Sequence, residues 1–309
     1  MSHSSTPPCA ARRQAAKRGW ALTLPLPLLE AALLVTWSSG FVGARFSLDH
    51  APPMLVVLWR CVLLSVVLLP FVARELRAAS PAALLRSAGI GLFSMAGYLA
   101  GVVKGIALGV PAGLAALLAD LLPIGVALLA VVVLRERIAR RAWLGLATGL
   151  AGVVLVTHDA LSLGKAPLWA YGLPLLGMLS LAVATLWQKS AKGPAALGLL
   201  ATLWVQCLVS AIVFAGLAGM DGSLLPVANT GFALSVLWTA GLSTIGGYGI
   251  YWLCLRRSSA TRVASVLYLS PAVTMVWAWA MFGEPLSWAM LSGAALSGVG
   301  VWMVAQSRT

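Results

Sequence analysis

The sequence predicts an all-α polytopic membrane protein, and three observations carry that prediction. Of the 309 residues, 61% are hydrophobic and 9% charged, and the mean hydropathy is +0.95, so the charged surface of a soluble domain is missing. Apolar stretches of roughly 20 residues, about the length a helix needs to cross the hydrocarbon core, recur along the whole chain. These stretches are continuous and lack the two-residue alternation of outer-membrane strands, so helices are the way to satisfy the backbone in lipid.

Ten spans emerge, near 26–46, 54–73, 83–104, 110–133, 141–157, 168–188, 195–217, 232–254, 260–282 and 287–305. The first follows a basic stretch, but no small-residue cleavage site follows it and nine spans come after, so it reads as a retained helix. The second holds Arg60, the one basic residue deep in a span, and the third holds Gly97 and Tyr98. The fourth carries the stretch LLADLLP, with Asp120 three residues before Pro123, and the fifth follows a loop of four arginines. Trp187 and Gln206 mark the sixth and seventh, and the eighth contains GLSTIGGYG at 241–249. Tyr268 and Pro271 lie in the ninth, Gly293 and Gly300 in the tenth.

A formal net charge of +13 would suggest a nucleic-acid partner in a soluble protein. Here the placement of the charges matters more than their number. With a cytoplasmic N-terminus, the inside segments hold Arg12, Arg13, Lys17 and Arg18; Arg74, Arg77 and Arg86; Arg135, Arg137, Arg140 and Arg141; Lys189 and Lys192; Arg256, Arg257 and Arg262; and Arg308. The outside loops keep Lys165, with Arg45 and Lys104 at outer helix ends. That asymmetry is the positive-inside signature; it puts both termini in the cytoplasm and makes residues 1–25 a basic cytoplasmic tail. No nucleic-acid partner is expected. Cys9, Cys61, Cys207 and Cys254 show no paired spacing, and His3, His50 and His158 form no cluster, so no metal site and no cofactor are expected.

The chain repeats itself. At an offset of 148, Pro123 falls on Pro271, Glu136 on Glu284, Gly145 on Gly293 and Gly152 on Gly300 without a gap. Upstream the match needs gaps: Trp37 resembles Trp187, and Gly97–Tyr98 resembles Gly247–Tyr248. Residues 26–158 and 168–305 thus read as one five-helix unit used twice. Five is odd, so the second copy enters the membrane from the opposite side, the inverted repeat found in many secondary transporters.

These residues resemble the drug/metabolite transporter superfamily, EamA type, over nearly the whole chain. The resemblance rests on the two P…E…G…G stretches, the Trp37–Ser38 pair and Arg60. Within that superfamily the chain looks most similar to the YddG-type bacterial exporters of aromatic amino acids, which also move amphipathic cations. The resemblance implies two halves forming a basket around a central cavity, an inner-membrane location, a small-molecule substrate and no required oligomer.

A carrier site needs an apolar pocket with a few placed polar groups. The expected substrate-binding residues are Trp37, Tyr98, Asp120, Trp187, Tyr248 and Tyr268, with Pro123, Pro271, Gly246 and Gly247 bending and gating the helices. Trp37 and Trp187 are candidates to stack on an aromatic substrate. Asp120 reads as an ammonium ligand, a proton carrier or a structural carboxyl. Arg60 reads as a carboxylate ligand or a tie between helices, Glu30 as a residue snorkelling from the inner end of span 1, and Glu136 and Glu284 as helix-end carboxylates. The glycines of 241–249 lack the Lys-Ser/Thr of a phosphate loop. Neither an ATP-binding motif nor an intramembrane nucleophile with its base is present, so the expectation is a carrier rather than an enzyme, with a channel or a carrier of other amphipathic solutes as alternatives.

Overall fold

A computed structural model describes residues 24–132, 140–163, 166–190, 197–220, 222, 224–258, 260–267 and 269–306. Among the described residues the regular structure is helical, with no strand. The first three helices are α1 (Leu26–Leu48), α2 (Pro53–Ala78) and α3 (Pro81–Ala107). Each has a proline at its first or second position, where a missing N–H costs nothing. Ser80 adds a cap to α3 by accepting from the Ala83 N–H at 3.2 Å. The fourth helix comes in two pieces, α4a (Ala112–Ala119) and α4b (Leu122–Val132). Then follow α5 (Arg140–Leu163), α6 (Gly172–Ser190) and α7 (Leu199–Met220). The eighth, α8, starts at Thr230 under an Asn229 cap and ends at Arg257. The ninth is again split, into α9a (Ala260–Leu267) and α9b (Ser270–Phe282), and α10 is Trp288–Gln306.

Among the described residues five stretches, Leu26–Leu48, Pro53–Ala78, Pro81–Ala107, Leu168–Gln188 and Leu199–Met220, are long and apolar enough to cross a membrane; Ala112–Val126 and Trp143–Leu155 are shorter apolar helices. The split helices have a common cause. A proline lacks the N–H that would bond the carbonyl four residues back. For Pro123 that carbonyl is Ala119, the last residue of α4a; for Pro271 it is Leu267, the last residue of α9a. The starts, ends and restarts of the two broken helices coincide at the 148 offset read from the sequence.

Two unbroken helices carry π-helical turns instead, Leu92–Gly97 in α3 and Thr239–Tyr248 in α8. Such wide turns concentrate at functional sites because they re-aim side chains. Here they set Tyr98 and Tyr248 against α1.

Each helix packs chiefly on one from the other half of the chain: α1 on α8, α2 on α7, α3 on α6, α4a on α9b and α5 on α10. Glycines set the closest approaches. A Cβ on Gly300 would lie 2.6 Å from the Gly145 carbonyl oxygen, and one on Gly152 would lie 2.5 Å from the Gly293 carbonyl oxygen. Residue numbers rise along α5 as they fall along α10, so the two cross antiparallel. The same holds for α1 and α8, where Gly40 meets Ser243 and Gly246 meets Thr36. Small residues of this kind let backbones approach where lipid offers no hydrophobic drive for helices to associate.

Candidate functional site

The centre of the molecule is built on Trp37, which is 5% exposed. Its ring lies 5.7 Å from Tyr98, 5.5 Å from Tyr248 and 5.2 Å from Tyr251, all tilted. Rings at such separations attract through their quadrupoles as well as their area. The phenols are tied down in turn. Tyr248 donates to the Ser94 carbonyl at 3.0 Å, and the Tyr251 hydroxyl shares a 2.7 Å hydrogen bond with Thr185.

The indole N–H of Trp37 donates to Asp120 Oδ1 at 3.1 Å, and the Ser270 hydroxyl donates to Asp120 Oδ2. Asp120 is the first of the two residues between α4a and α4b, and it is 1% exposed. Ser38, the next residue of α1, donates to the Ser270 carbonyl at 3.3 Å. Consecutive residues of α1 therefore hold both broken joints, Trp37 through the α4 break and Ser38 at the restart of α9. A break is a place where such contacts are available, because its carbonyls and side chains are released from the helical ladder.

A cavity opens beside this cluster, lined by Trp37, Phe41, Arg60, Tyr98, Ser243 and Tyr248 among others. The space open to water centres is about 30 Å³. One water needs about 10–15 Å³ on that measure, so an amino acid enters only if the helices part. Arg60 is 2% exposed, and its Nε and Nη2 have no hydrogen-bond partner among the described residues.

The residues expected from sequence divide into groups. Trp37, Tyr98 and Tyr248 line one cavity, and Asp120 stands behind Trp37 rather than on the cavity wall. Trp187 lies apart, 38% exposed, with its ring over Gly89 and 6.4 Å from Phe93. Tyr268 and Glu136 lie outside the described residues. Gly246 and Gly247 bring α8 onto Thr36 and Trp37 of α1. Sequence reasoning missed Ser270 and Thr185. Hydroxyls inside spans carry little signal, because many simply bond their own helix, as Ser65 does to the Cys61 carbonyl at 2.8 Å.

Both ends of α1 are clasped to the second half. Near its start Glu30 receives Arg262 side-on, Nε at 2.6 Å and Nη2 at 3.0 Å. Near its end Arg45 Nε is 3.9 Å from Glu284 and its guanidinium lies 4.9 Å from the Phe282 ring centre. Glu284 also accepts the Ala112 N–H, at 2.9 Å to Oε2, closing the start of α4a where the helix dipole favours an anion. Burial pushes the Glu284 carboxyl above its usual pKa, while the Ala112 and Gly113 N–H groups and Arg45 pull it back. Fifteen residues of helix, roughly 22 Å, separate Glu30 from Arg45.

Comparison with known proteins decides the kinship. The profile of the EamA-like transporter family matches twice, over residues 27–158 and 168–306. The chain belongs to the EamA-like transporter family. It is a multi-pass membrane transporter of the drug/metabolite type rather than an enzyme. This EamA chain is 30% identical over 281 residues to a Salmonella typhimurium protein named "Probable amino-acid metabolite efflux pump", covering 88% of this chain and 91% of the relative. An Escherichia coli K12 protein of the same name is 27% identical, with 89% and 93% covered. A solved crystal structure 18% identical superposes on 92% of this chain and 97% of its own, with a TM-score of 0.62, a likeness of fold.

Proposed function

We propose that the chain is a secondary carrier that exports aromatic amino acids and related amphipathic compounds across the bacterial inner membrane by alternating access. Its halves, 26–158 and 168–305, are inverted copies, with both termini and the tail 1–25 in the cytoplasm. The reciprocal contacts of Gly300 with Gly145 and of Gly152 with Gly293 support the inversion, since equivalent residues meet across antiparallel equivalent helices.

The single observation that carries the reading is a contracted cavity walled by Trp37, Tyr98 and Tyr248, with a clasp at each end of the helix that supplies Trp37. Aromatic walls suit a flat apolar side chain, and clasps on both sides suit a carrier held closed between its two open forms. The relatives' name supports amino-acid export. In this reading Asp120 positions Trp37 and meets a substrate ammonium once that indole turns away. Pro123 and Pro271 provide the joints about which the halves rock. Tyr268 is the counterpart of Asp120 in the second half, and Trp187 serves the α3–α6 contact on which rocking depends.

Counterflow in proteoliposomes tests this, with Trp, Phe, Leu, Thr and an aromatic dication as competitors. Tryptophan and phenylalanine are expected to compete about 10-fold better than leucine, in line with aromatic contacts of about 0.5–1.5 kcal/mol each. Stronger competition by Leu or Thr would make the chain a carrier of other amphipathic solutes. Fast flux without counterflow would make it a channel.

A further inference from the structure

The cavity wall holds a buried guanidinium, that of Arg60, whose Nε and Nη2 meet no hydrogen-bond partner among the described residues. Removing a guanidinium ion from water without a counter-ion is among the costlier things a fold does. Five acidic side chains are described, and each is engaged elsewhere: Glu30 with Arg262, Asp49 with Arg45, Glu75 with the Gly198 N–H, Asp120 with Trp37 and Ser270, and Glu284 with Ala112. An arginine that merely ties helices together spends its donors on carbonyls. Arg256 does so on Leu197 at 2.8 Å and Arg257 on Leu24 at 2.9 Å. Arg60 has no such bond from Nε or Nη2.

The identity of those two nitrogens is informative. Nε and Nη2 form one edge of the guanidinium, whose parallel N–H groups match the two oxygens of a carboxylate. The molecule uses this same edge at the start of α1, where Arg262 grips Glu30 through Nε and Nη2. At Arg60 the edge is unpartnered, nine-tenths buried or more, and in the wall of the cavity that Trp37, Tyr98 and Tyr248 line.

We propose that Arg60 is the seat of the substrate's carboxylate, gripping both of its oxygens side-on while the aromatic walls take the side chain. The proposal rests on the reading of this cavity as an amino-acid carrier's site. It adds a requirement that reading lacks, namely that the substrate carry an anion. A neutral α-amide of the same shape leaves the guanidinium unanswered and loses the affinity the charge supplies.

The test is counterflow competition by two matched pairs, L-phenylalanine with its α-amide and L-leucine with its α-amide, in liposomes holding the wild-type chain, Arg60→Lys or Arg60→Met. In the wild type each acid is expected to compete at least about 10-fold better than its amide, as for a hydrogen-bonded charge pair. With a labelled α-amide as the counterflow substrate, Arg60→Met is expected to bring that ratio to about one, and a wild-type elution volume in detergent chromatography shows that the variant is folded. Arg60→Lys, a charge without the fork, should fall between. Acid and amide competing equally in the wild type would overturn the proposal without any variant, as would a wild-type ratio in Arg60→Met. If leucine outcompetes phenylalanine while the acid-to-amide ratio persists, the aromatic specificity falls and the Arg60 seat stands. If none of the four competes, both fall.

Discussion

Trp37 does two jobs with one side chain: its ring packs three tyrosines and its N–H answers a buried carboxylate. The two are separable by substitution. Trp37→Phe keeps a ring but removes a donor from Asp120, which is expected to cost about 1–3 kcal/mol of stability. Trp37→Ala also opens a hole among Tyr98, Tyr248 and Tyr251, at about 3–5 kcal/mol, and is expected to abolish uptake. Asp120→Leu, similar in size, removes both acceptors and leaves the Trp37 N–H and the Ser270 hydroxyl unanswered, at a cost of about 1–3 kcal/mol. Because both substitutions break the same bond, the double variant Trp37→Phe/Asp120→Leu should cost less than the sum of the singles. Thermal unfolding in detergent measures all four, and strict additivity would show that the bond contributes nothing. The sequence pointed to Asp120 because a carboxyl in an apolar span is conspicuous. It was silent about Ser270, since a serine costs little in a membrane helix and its partner lies 150 positions away.

At the scale of elements, α1 is the part that both clasps restrain. Glu30 with Arg262 ties its start to α9a, while Arg45 with Glu284 ties its end to the connection between α9b and α10. Loss of either clasp should favour the form open on that side and leave the other side shut. Ser243 lines the cavity and suits a reporter thiol, so Ser243→Cys is placed in a chain whose Cys9, Cys61, Cys207 and Cys254 are replaced by alanine. With an impermeant thiol reagent, Glu284→Gln is expected to speed labelling of that thiol from outside the cell, and Glu30→Gln from the cytoplasmic side in inverted vesicles. Labelling changes on the swapped sides would reverse the proposed orientation; no change in either variant would remove the clasps from the mechanism. From the sequence Pro123 and Pro271 were expected to bend their helices; that α4 and α9 break there while α2 runs on through Pro70 was not legible, because one freed carbonyl does not decide between a bend and a break. Nor were the π turns of α3 and α8, because a local widening of the turn leaves no mark on the pattern of a continuously apolar span.

For the whole molecule, the proposed inverted repeat bears most directly on the crossing of α5 and α10. Gly145, Gly152, Gly293 and Gly300 were visible as a spaced motif, and the structure gives the reason for them: each helix approaches the other's backbone at those points. Trp37 and Trp187, matched upstream only by allowing gaps, are not brought together, since one lies in the central cluster and the other against Gly89. A gapped match in low-complexity apolar sequence carries little positional information, whereas an ungapped frame of Pro, Glu and Gly does. An inverted repeat would make a quantitative demand on stability. A Cβ on Gly300 would run into the Gly149 and Gly145 backbone, and one on Gly152 into the Gly293 and Ser297 backbone. The backbone contacts correspond at the 148 offset, with Ser297 standing where the first half has Gly149. Gly152→Ala and Gly300→Ala are therefore each expected to cost about 1–3 kcal/mol, the usual cost of overpacking against atoms that cannot move aside, and to do so nearly equally. Once one alanine has pushed α5 and α10 apart, the second meets a wider gap, so the double variant should cost clearly less than twice the single. Thermal unfolding in detergent of the three variants measures this. Strongly unequal single costs would show that the two halves do not share this crossing on equal terms, and would count against an inverted repeat as the plan of the molecule.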